Sequence, residues 1–247
     1  MIALRLALAF DPARLAADLT AIREDEWVFH FNKPYYEGEW SGVSLRSIGG
    51  ETGTLYPDPT RSDYADTEVL ARTPYFREVL SEFQCPLLAV RLLRLSAGSR
   101  IREHRDYKLS IEDGEFRVHI PVQTNPDLVF MLGGERVVMR EGTMWYLNVN
   151  HPHSVYNGGA AARVHLVVDC VVNEWVTRMV ASATVDQFFA SVAPGDPLED
   201  RLRAMEGKGE FAAGVAEASS ERGLALTADQ VVAAMAERRG MWTRRML

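Results

Sequence analysis

The 247-residue chain has little cysteine, with Cys85 and Cys170 as its two thiols. They lie far apart in the sequence in apolar surroundings, which argues against a disulfide framework and suits a reducing compartment. It also lacks an excess of positive charge. Lys and Arg number 27 against 34 Asp and Glu, a formal net charge of −7. Nucleic-acid binding would therefore need a local basic patch, and the nearest thing to one, Arg238-Arg239 with Arg244-Arg245, reads as solvated surface. No run approaches the ~18 apolar residues that a membrane span needs, and no internal repeat or low-complexity segment is visible. The opening MIALRLALAF briefly resembles an export signal, but Arg5 interrupts it and Asp11-Pro12 ends it. Period two places Ile2, Leu4, Leu6, Leu8 and Phe10 on one face, so a strand is expected there. What remains is a protein expected in the cytoplasm, 47% hydrophobic and 25% charged. It is long enough for one large domain, or for a barrel with a smaller appendage.

The order of elements is mixed, then β, then helical. Asp11-Pro12 opens an amphipathic stretch to about Ile22, with Asp as N-cap and Pro at the first helical position. Residues 27–72 are rich in aromatics (Trp27, Phe29, Phe31, Tyr35, Tyr36, Trp40), then in Gly and Asp, and are expected as short strands and loops lining a cleft. Thr73-Pro74 starts a short helix to about Phe83. Strands are expected over 87–96, 116–123, 128–132, 136–139, 144–149 and 163–172. Gly133-Gly134 forms the hairpin turn between 128–132 and 136–139, because both central positions must tolerate positive φ. Short strands at this spacing point to an all-β barrel or sandwich. Helices are expected over 173–191, about 197–206 and 227–239, the last opened by the capping box Thr227-Ala228-Asp229-Gln230. The expected division is a β domain with an N-terminal α/β lead over 1–172 and a C-terminal helical region over 173–247.

The chemistry-bearing residues fall in the β part. In Glu103-His104-Arg105-Asp106, extended chain would aim His104 and Asp106 at the same face. A third ligand must come from a distant strand, and Asn150-His151-Pro152-His153-Ser154 offers two histidines. Two imidazoles and one carboxylate leave several positions of a metal open, which suits Fe(II) binding a bidentate co-substrate together with dioxygen. Zinc more often closes a tetrahedral set. A lone H-x-D is a weak motif, and the deciding companion is Arg163, which leads into the apolar run Val164-His165-Leu166-Val167-Val168-Asp169. A buried arginine needs a partner. Either a bound carboxylate such as that of 2-oxoglutarate takes its fork, or Glu135 or Asp169 pairs with it. In Phe116-Arg117-Val118-His119-Ile120, Arg117 and His119 share one face, inward or outward. Arg91 and Arg94, three apart, fall on opposite faces of a strand, so at most one points inward.

With these residues in place, the stretch from about Ala89 to Cys170 resembles the aspartyl/asparaginyl β-hydroxylase family of Fe(II)/2-oxoglutarate oxygenases. Its likeness is greatest to the bacterial free-proline cis-3 and cis-4 hydroxylases. The motifs are RLLRLSAGSRIREHRD, FRVHIPVQTN, EGTMWYLN, HPHSVYN and ARVHLVVD, in matching order and spacing. The resemblance implies a mainly β, double-stranded β-helix (jelly-roll, cupin-like) core with flanking helices. It implies His104, Asp106 and His153 as metal ligands, His153 being preferred to His151 by its ten-residue distance to Arg163. Arg163 would bind the distal carboxylate of 2-oxoglutarate, and Arg117 and His119 match positions that help hold the co-substrate in the β-hydroxylase branch. That branch has lost the carboxylate ligand, whereas this chain keeps Asp106. The reading is a 2-oxoglutarate-dependent dioxygenase that hydroxylates an unactivated C–H of an amino acid or similar small molecule, with Fe(II) and dioxygen. Arg91 and Trp40 are candidates for holding that substrate, and a monomer or homodimer is expected. The alternatives are an Asp/Asn β-hydroxylase of peptides or proteins, a non-catalytic cupin-like metal- or ligand-binding module, and a zinc hydrolase.

Overall fold

The computed structural model describes residues 2–55 and 60–237; the arginine pairs at 238–239 and 244–245 lie outside them. The chain divides into two compact units, one of residues Ile2–Val172 and one beginning at Asn173.

The first unit contains thirteen strands among its described residues. They are β1 (Ala3–Ala9), β2 (Val28–Phe29), β3 (Tyr36–Glu37), β4 (Trp40–Ile48), β5 (Tyr64–Asp66), β6 (Leu87–Leu95) and β7 (Arg100–His104), followed by β8 (Glu115–Gln123), β9 (Leu128–Leu132), β10 (Glu135–Arg136), β11 (Thr143–Leu147), β12 (His153–Asn157) and β13 (Arg163–Val171). Three helices, α1 (Pro12–Thr20), α2 (Glu68–Ala71) and α3 (Pro74–Ser81), belong to the lead. One antiparallel sheet runs β1-β11-β8-β13-β6-β4-β2, with β5 on β4, and the other runs β10-β9-β12-β7-β3. From β6 onward the chain alternates between the two: β6, β8, β11 and β13 enter the first, and β7, β9 with β10, and β12 enter the second. This alternation is the double-stranded β-helix. Trp40, Leu95, Ile101, Phe130, Leu132, Leu147 and Val155 pack in one apolar cluster drawn from strands of both sheets.

β13 lies between β6 and β8, and all its residues but the last are buried. A central strand covered on both faces reads as an almost continuous apolar run, which is why its polar members stand out. Arg163, His165, Val167 and Asp169 share one face by the period of two. The register sets Val167 opposite His119 and Arg91, and Asp169 opposite Arg117.

The expected elements form with small shifts of boundary. Asp11 caps α1 by accepting from Ala13 N at 2.8 Å. The glycine hairpin is present, with φ of +60° at Gly133 and +87° at Gly134 and the pair Glu135↔Leu132 closing it. Its second arm ends as a strand at Arg136, three residues short of the expected Met139, although Val137 N still reaches Phe130 O at 2.8 Å. One correction concerns 27–72, where β4 is a nine-residue member of the large sheet rather than a short strand. Its serines hid it. Ser44 and Ser47 are buried because their hydroxyls donate to Thr54 O and Glu51 O, at 2.5 and 2.6 Å. Cys85 and Cys170, remote in sequence, meet at the base of β13 as free thiols.

The second unit holds α4 (Glu174–Ser191), α5 (Pro197–Arg203), α6 (Lys208–Glu221) and α7 (Ala228–Glu237) around its own core of Val185, Phe188, Leu202, Val215 and Val231. The capping box is reciprocal: Thr227 N reaches Gln230 Oε1 at 2.9 Å and Gln230 N reaches Thr227 Oγ1 at 3.2 Å. α6 is a helix that the sequence pattern did not indicate, and glycine explains the omission. Gly214 weakens helical propensity, yet a Cβ there would come within 2.4 Å of the Met205 side chain, so close packing requires it. Among the described residues no helix is long and apolar enough to cross a membrane.

Candidate metal centre and co-substrate cleft

His104 ends β7 and His153 opens β12, and the two form a cross-strand pair with ring centroids 4.2 Å apart. Asp106 lies just beyond the strand, where its N–H bonds Val149 O at 3.0 Å and turns the loop back toward them. One ligand atom from each of His104, Asp106 and His153 lies within 4.8 Å of the others. His151 is outside this cluster. Its contribution is a backbone carbonyl, 3.1 Å from His153 Nδ1, just as Arg102 O lies 2.8 Å from His104 Nδ1. A carbonyl only accepts, so both rings carry hydrogen on Nδ1 and turn Nε2 toward the cluster, the atom whose lone pair a neutral imidazole offers to a metal. Burial, and then the neighbouring His104, hold the His153 pKa down to about 4, which keeps that imidazole neutral. Two imidazoles and one carboxylate are a donor set that fits Fe(II) and leaves room for further ligands.

The carboxylate of Asp106 is held from behind. Arg117 Nη1 donates to its Oδ2 at 2.5 Å, while the other oxygen lies 3.8 Å from His104 Nε2. Arg117 also grips Asp169, with Nε at 2.6 Å and Nη2 at 3.0 Å. Arg91 Nη2 reaches the same carboxylate at 2.5 Å, and Arg91 Nη1 reaches Leu55 O at 2.5 Å. Burial alone would raise Asp169, but Arg117 and Arg91 outweigh it and bring it to about 2. Asp106 also falls below its usual range, because Arg117 and the two imidazoles overcome the opposing effect of burial. Arg117 is itself raised, as the two carboxylates outweigh its desolvation. The residue matched by resemblance to co-substrate binding therefore spends its donors on two aspartates.

Arg163 is the opposite case. It is 2% exposed, and among the described residues no carboxylate pairs with it. The two acids considered as partners are elsewhere: Glu135 is exposed on β10, and Asp169 is engaged by Arg91 and Arg117. Desolvation pulls the guanidinium down to about 9. Its Nη2 contacts His165 Nδ1 at 2.8 Å, and that atom lies 3.3 Å from His119 Nδ1. Arg163 Nε, His119 Nε2 and His165 Nε2 are buried with no hydrogen-bond partner. An unsatisfied buried polar atom costs roughly 1–3 kcal/mol, so three together mark a place built for something else. A carboxylate fits the fork of Arg163.

These groups line one cleft of about 360 Å³, which His104, Asp106, His153, Arg91, Arg117, His119 and Arg163 all reach. The lead supplies one wall. His30 stacks on Trp40, with centroids 3.5 Å apart and planes 12° apart, and also on Phe31 at 4.7 Å. Burial, then Arg91, hold His30 down to about 4. Phe31, Tyr35 and Tyr107 stand exposed at the cleft. Trp40 and Arg91, the candidate substrate residues, both line it, whereas Arg94 points away and pairs with the exposed Glu24 at 2.7 Å. His30 and His165 were missed by the sequence reading. His165 could have been found from the alternation Arg163-x-His165-x-Val167-x-Asp169.

A family model described as Aspartyl/Asparaginyl beta-hydroxylase matches residues 11–172. The L-proline cis-4-hydroxylase of Rhizobium meliloti (strain 1021) is 29% identical over 168 residues, 65% of this chain and 57% of that protein. The L-proline cis-3-hydroxylase 1 of Streptomyces sp is 26% identical over 192 residues, 76% of this chain and 66% of that protein. The chain thus spans 57% and 66% of the length of these two relatives. Among solved structures, an oxidoreductase of the 2OG-Fe(II) oxygenase family from Burkholderia pseudomallei is 19% identical with a TM-score of 0.40, covering 66% of this chain and 81% of that one. That likeness is too loose to bear on function. The family match covers well over half of the chain and spans every residue of the cleft, and the chain belongs to the aspartyl/asparaginyl β-hydroxylase family.

Proposed function

We propose that the protein is an Fe(II)- and 2-oxoglutarate-dependent dioxygenase that hydroxylates an unactivated C–H of an amino acid or a similar small molecule. His104, Asp106 and His153 would hold the iron, and Arg163 would hold the distal carboxylate of 2-oxoglutarate. The observation that carries this reading is the buried Arg163 guanidinium, without a carboxylate partner among the described residues, in the same cleft as the ligand cluster. When bound, the metal and co-substrate supply activation of dioxygen, with succinate and carbon dioxide as co-products.

The chain's own residues supply position and exclusion of water. The Nδ1 contacts of His104 and His153 present their Nε2 atoms, and Arg117 restrains one oxygen of Asp106 so that the other is free to ligate. The walls of Trp40, Phe130 and Val155 are apolar and buried, which strengthens each charge interaction within the cleft. Arg91 and Arg117 together share Asp169, so one positive charge is left over once a metal neutralises Asp106. That surplus suits the carboxylate of an amino-acid substrate, and the His30–Trp40 wall suits an apolar body. The similar proteins named as L-proline hydroxylases favour a free amino acid, and the reducing thiols fit a cytoplasmic setting.

The test is a succinate-release assay across free amino acids and peptides. Turnover with free amino acids is expected. Stimulation by peptides alone would move the reading to side-chain β-hydroxylation of peptides. Metal binding with no 2-oxoglutarate consumption under any condition would favour a non-catalytic module.

A further inference from the structure

Arg163 and His165 project from one face of β13, and His119 comes to them from β8. Their contacts determine where the protons are. A guanidinium offers only N–H donors, so the 2.8 Å contact from Arg163 Nη2 requires a lone pair on His165 Nδ1. A neutral imidazole with a bare Nδ1 carries its hydrogen on Nε2. The same Nδ1 lies 3.3 Å from His119 Nδ1, so the hydrogen between the rings belongs to His119. His119 then presents a lone pair at Nε2 and acts as a buttress to His165 rather than as a donor to an anion.

The chemical choice at 165 matters. A carboxylate in that place would orient Arg163 and also cancel its charge, as Asp169 does for Arg91 and Arg117. An apolar residue would preserve the charge and leave the fork free to swing. A neutral acceptor orients the guanidinium and leaves its charge available. The nearer groups fit this division. The Phe130 ring centroid lies 5.9 Å from the Arg163 guanidinium carbon, Val167 follows His165 on the same face, and among the described residues no carboxylate pairs with Arg163.

We propose that His165 is the positioning residue for the co-substrate carboxylate, holding Arg163 through a neutral Nδ1 acceptor with His119 braced behind it. The proposal rests on the assignment of Arg163 to 2-oxoglutarate. It is tested without turnover, by anaerobic calorimetric titration of the Fe(II)-loaded protein with 2-oxoglutarate and by ¹⁵N NMR of the histidines in the Zn(II)-loaded protein.

Asn at 165 can place its Oδ1 where the imidazole holds Nδ1, whereas Leu cannot accept at all. His165→Leu is expected to weaken 2-oxoglutarate binding on the order of tenfold to a hundredfold, the range for a hydrogen bond to a charged group. His165→Asn is expected to recover most of that loss. The NMR spectrum is expected to show His165 neutral, with hydrogen on Nε2, from pH 6 to 8 (a range of about 2 units around neutrality), and it decides the matter even if a variant fails to fold. Wild-type affinity in His165→Leu, an equal loss in His165→Asn, or an Nδ1–H or imidazolium signal at His165 overturns the proposal. If the wild-type protein itself takes no 2-oxoglutarate, the assignment of Arg163 fails first, and this proposal fails with it. If Arg163→Leu loses binding and His165→Leu does not, only the positioning role is lost.

Discussion

Two arginines on neighbouring strands of one sheet, Arg163 buried and Arg117 partly so, live in opposite surroundings. Arg117 on β8 has carboxylates on both sides, Asp169 and Asp106. Arg163 on β13 has none among the described residues and touches only a neutral imidazole and an aromatic face. Both lie in the same cleft. A buried charge that is matched within the protein belongs to the structure of the site. One that is left unmatched, at a cost in stability, is kept for a ligand. On the proposed function, the contrast separates the groups that build the cleft from the group that would take a ligand.

The same substitution should therefore act in opposite ways at the two positions. The largest effect is expected for Arg163→Met, which removes a buried cleft guanidinium that no carboxylate pairs among the described residues. Binding of 2-oxoglutarate should fall by more than about a hundredfold, while thermal unfolding shows a midpoint at or above that of wild type. A sharp loss of stability in this variant would mean that Arg163 has a structural partner after all.

Arg117→Met should do the reverse and destabilise the fold by roughly 1.5–3 kcal/mol, because it leaves the buried Asp169 with Arg91 as its remaining cation and takes the guanidinium from Asp106. Denaturant unfolding measures this, and Fe(II) affinity should weaken in parallel as Asp106 loses its restraint. Next in size is a pH effect. Asp169 sits at about 2 in the folded protein, below its ordinary value of 3.8. Its contribution to stability is therefore fully present above about pH 4 and is lost as pH falls through that window toward 2. Asp169→Asn should lower stability at neutral pH and flatten that acid limb in pH-dependent melting. The smallest effect is expected for Arg94→Ala. Its partner Glu24 is 81% exposed on the side chain, so loss of the pair should cost less than about 1 kcal/mol and leave 2-oxoglutarate affinity unchanged.

Much of this was legible in the sequence, for physical reasons that differ from one residue to the next. Arg163 stood out because an arginine in an apolar central strand contradicts the composition around it. Gly133-Gly134 stood out because its turn needs positive φ, and Thr227 with Gln230 because a capping box is a local device. Arg91 and Arg94 were correctly separated by strand period alone, with Arg91 found inside and Arg94 outside. β4 was obscured because buried serines satisfied by backbone carbonyls look polar in sequence, and α6 because Gly214 is a packing requirement that resembles a helix breaker. The pairing of Arg117 with two aspartates could not be read from spacing. It depends on the register of β8 against β13 and on the Asp106 loop returning to Val149. His30 escaped notice because only the stack with Trp40 brings it to the cleft.

The most direct measurement is an anaerobic visible spectrum of the Fe(II)-loaded protein titrated with 2-oxoglutarate, run beside Arg163→Met. A weak metal-to-ligand charge-transfer band is expected to grow and saturate in the wild-type protein, and to need far more 2-oxoglutarate in the variant. A folded, iron-loaded wild-type protein that shows no such band, or a variant that saturates at the same concentration, would contradict the role given to Arg163.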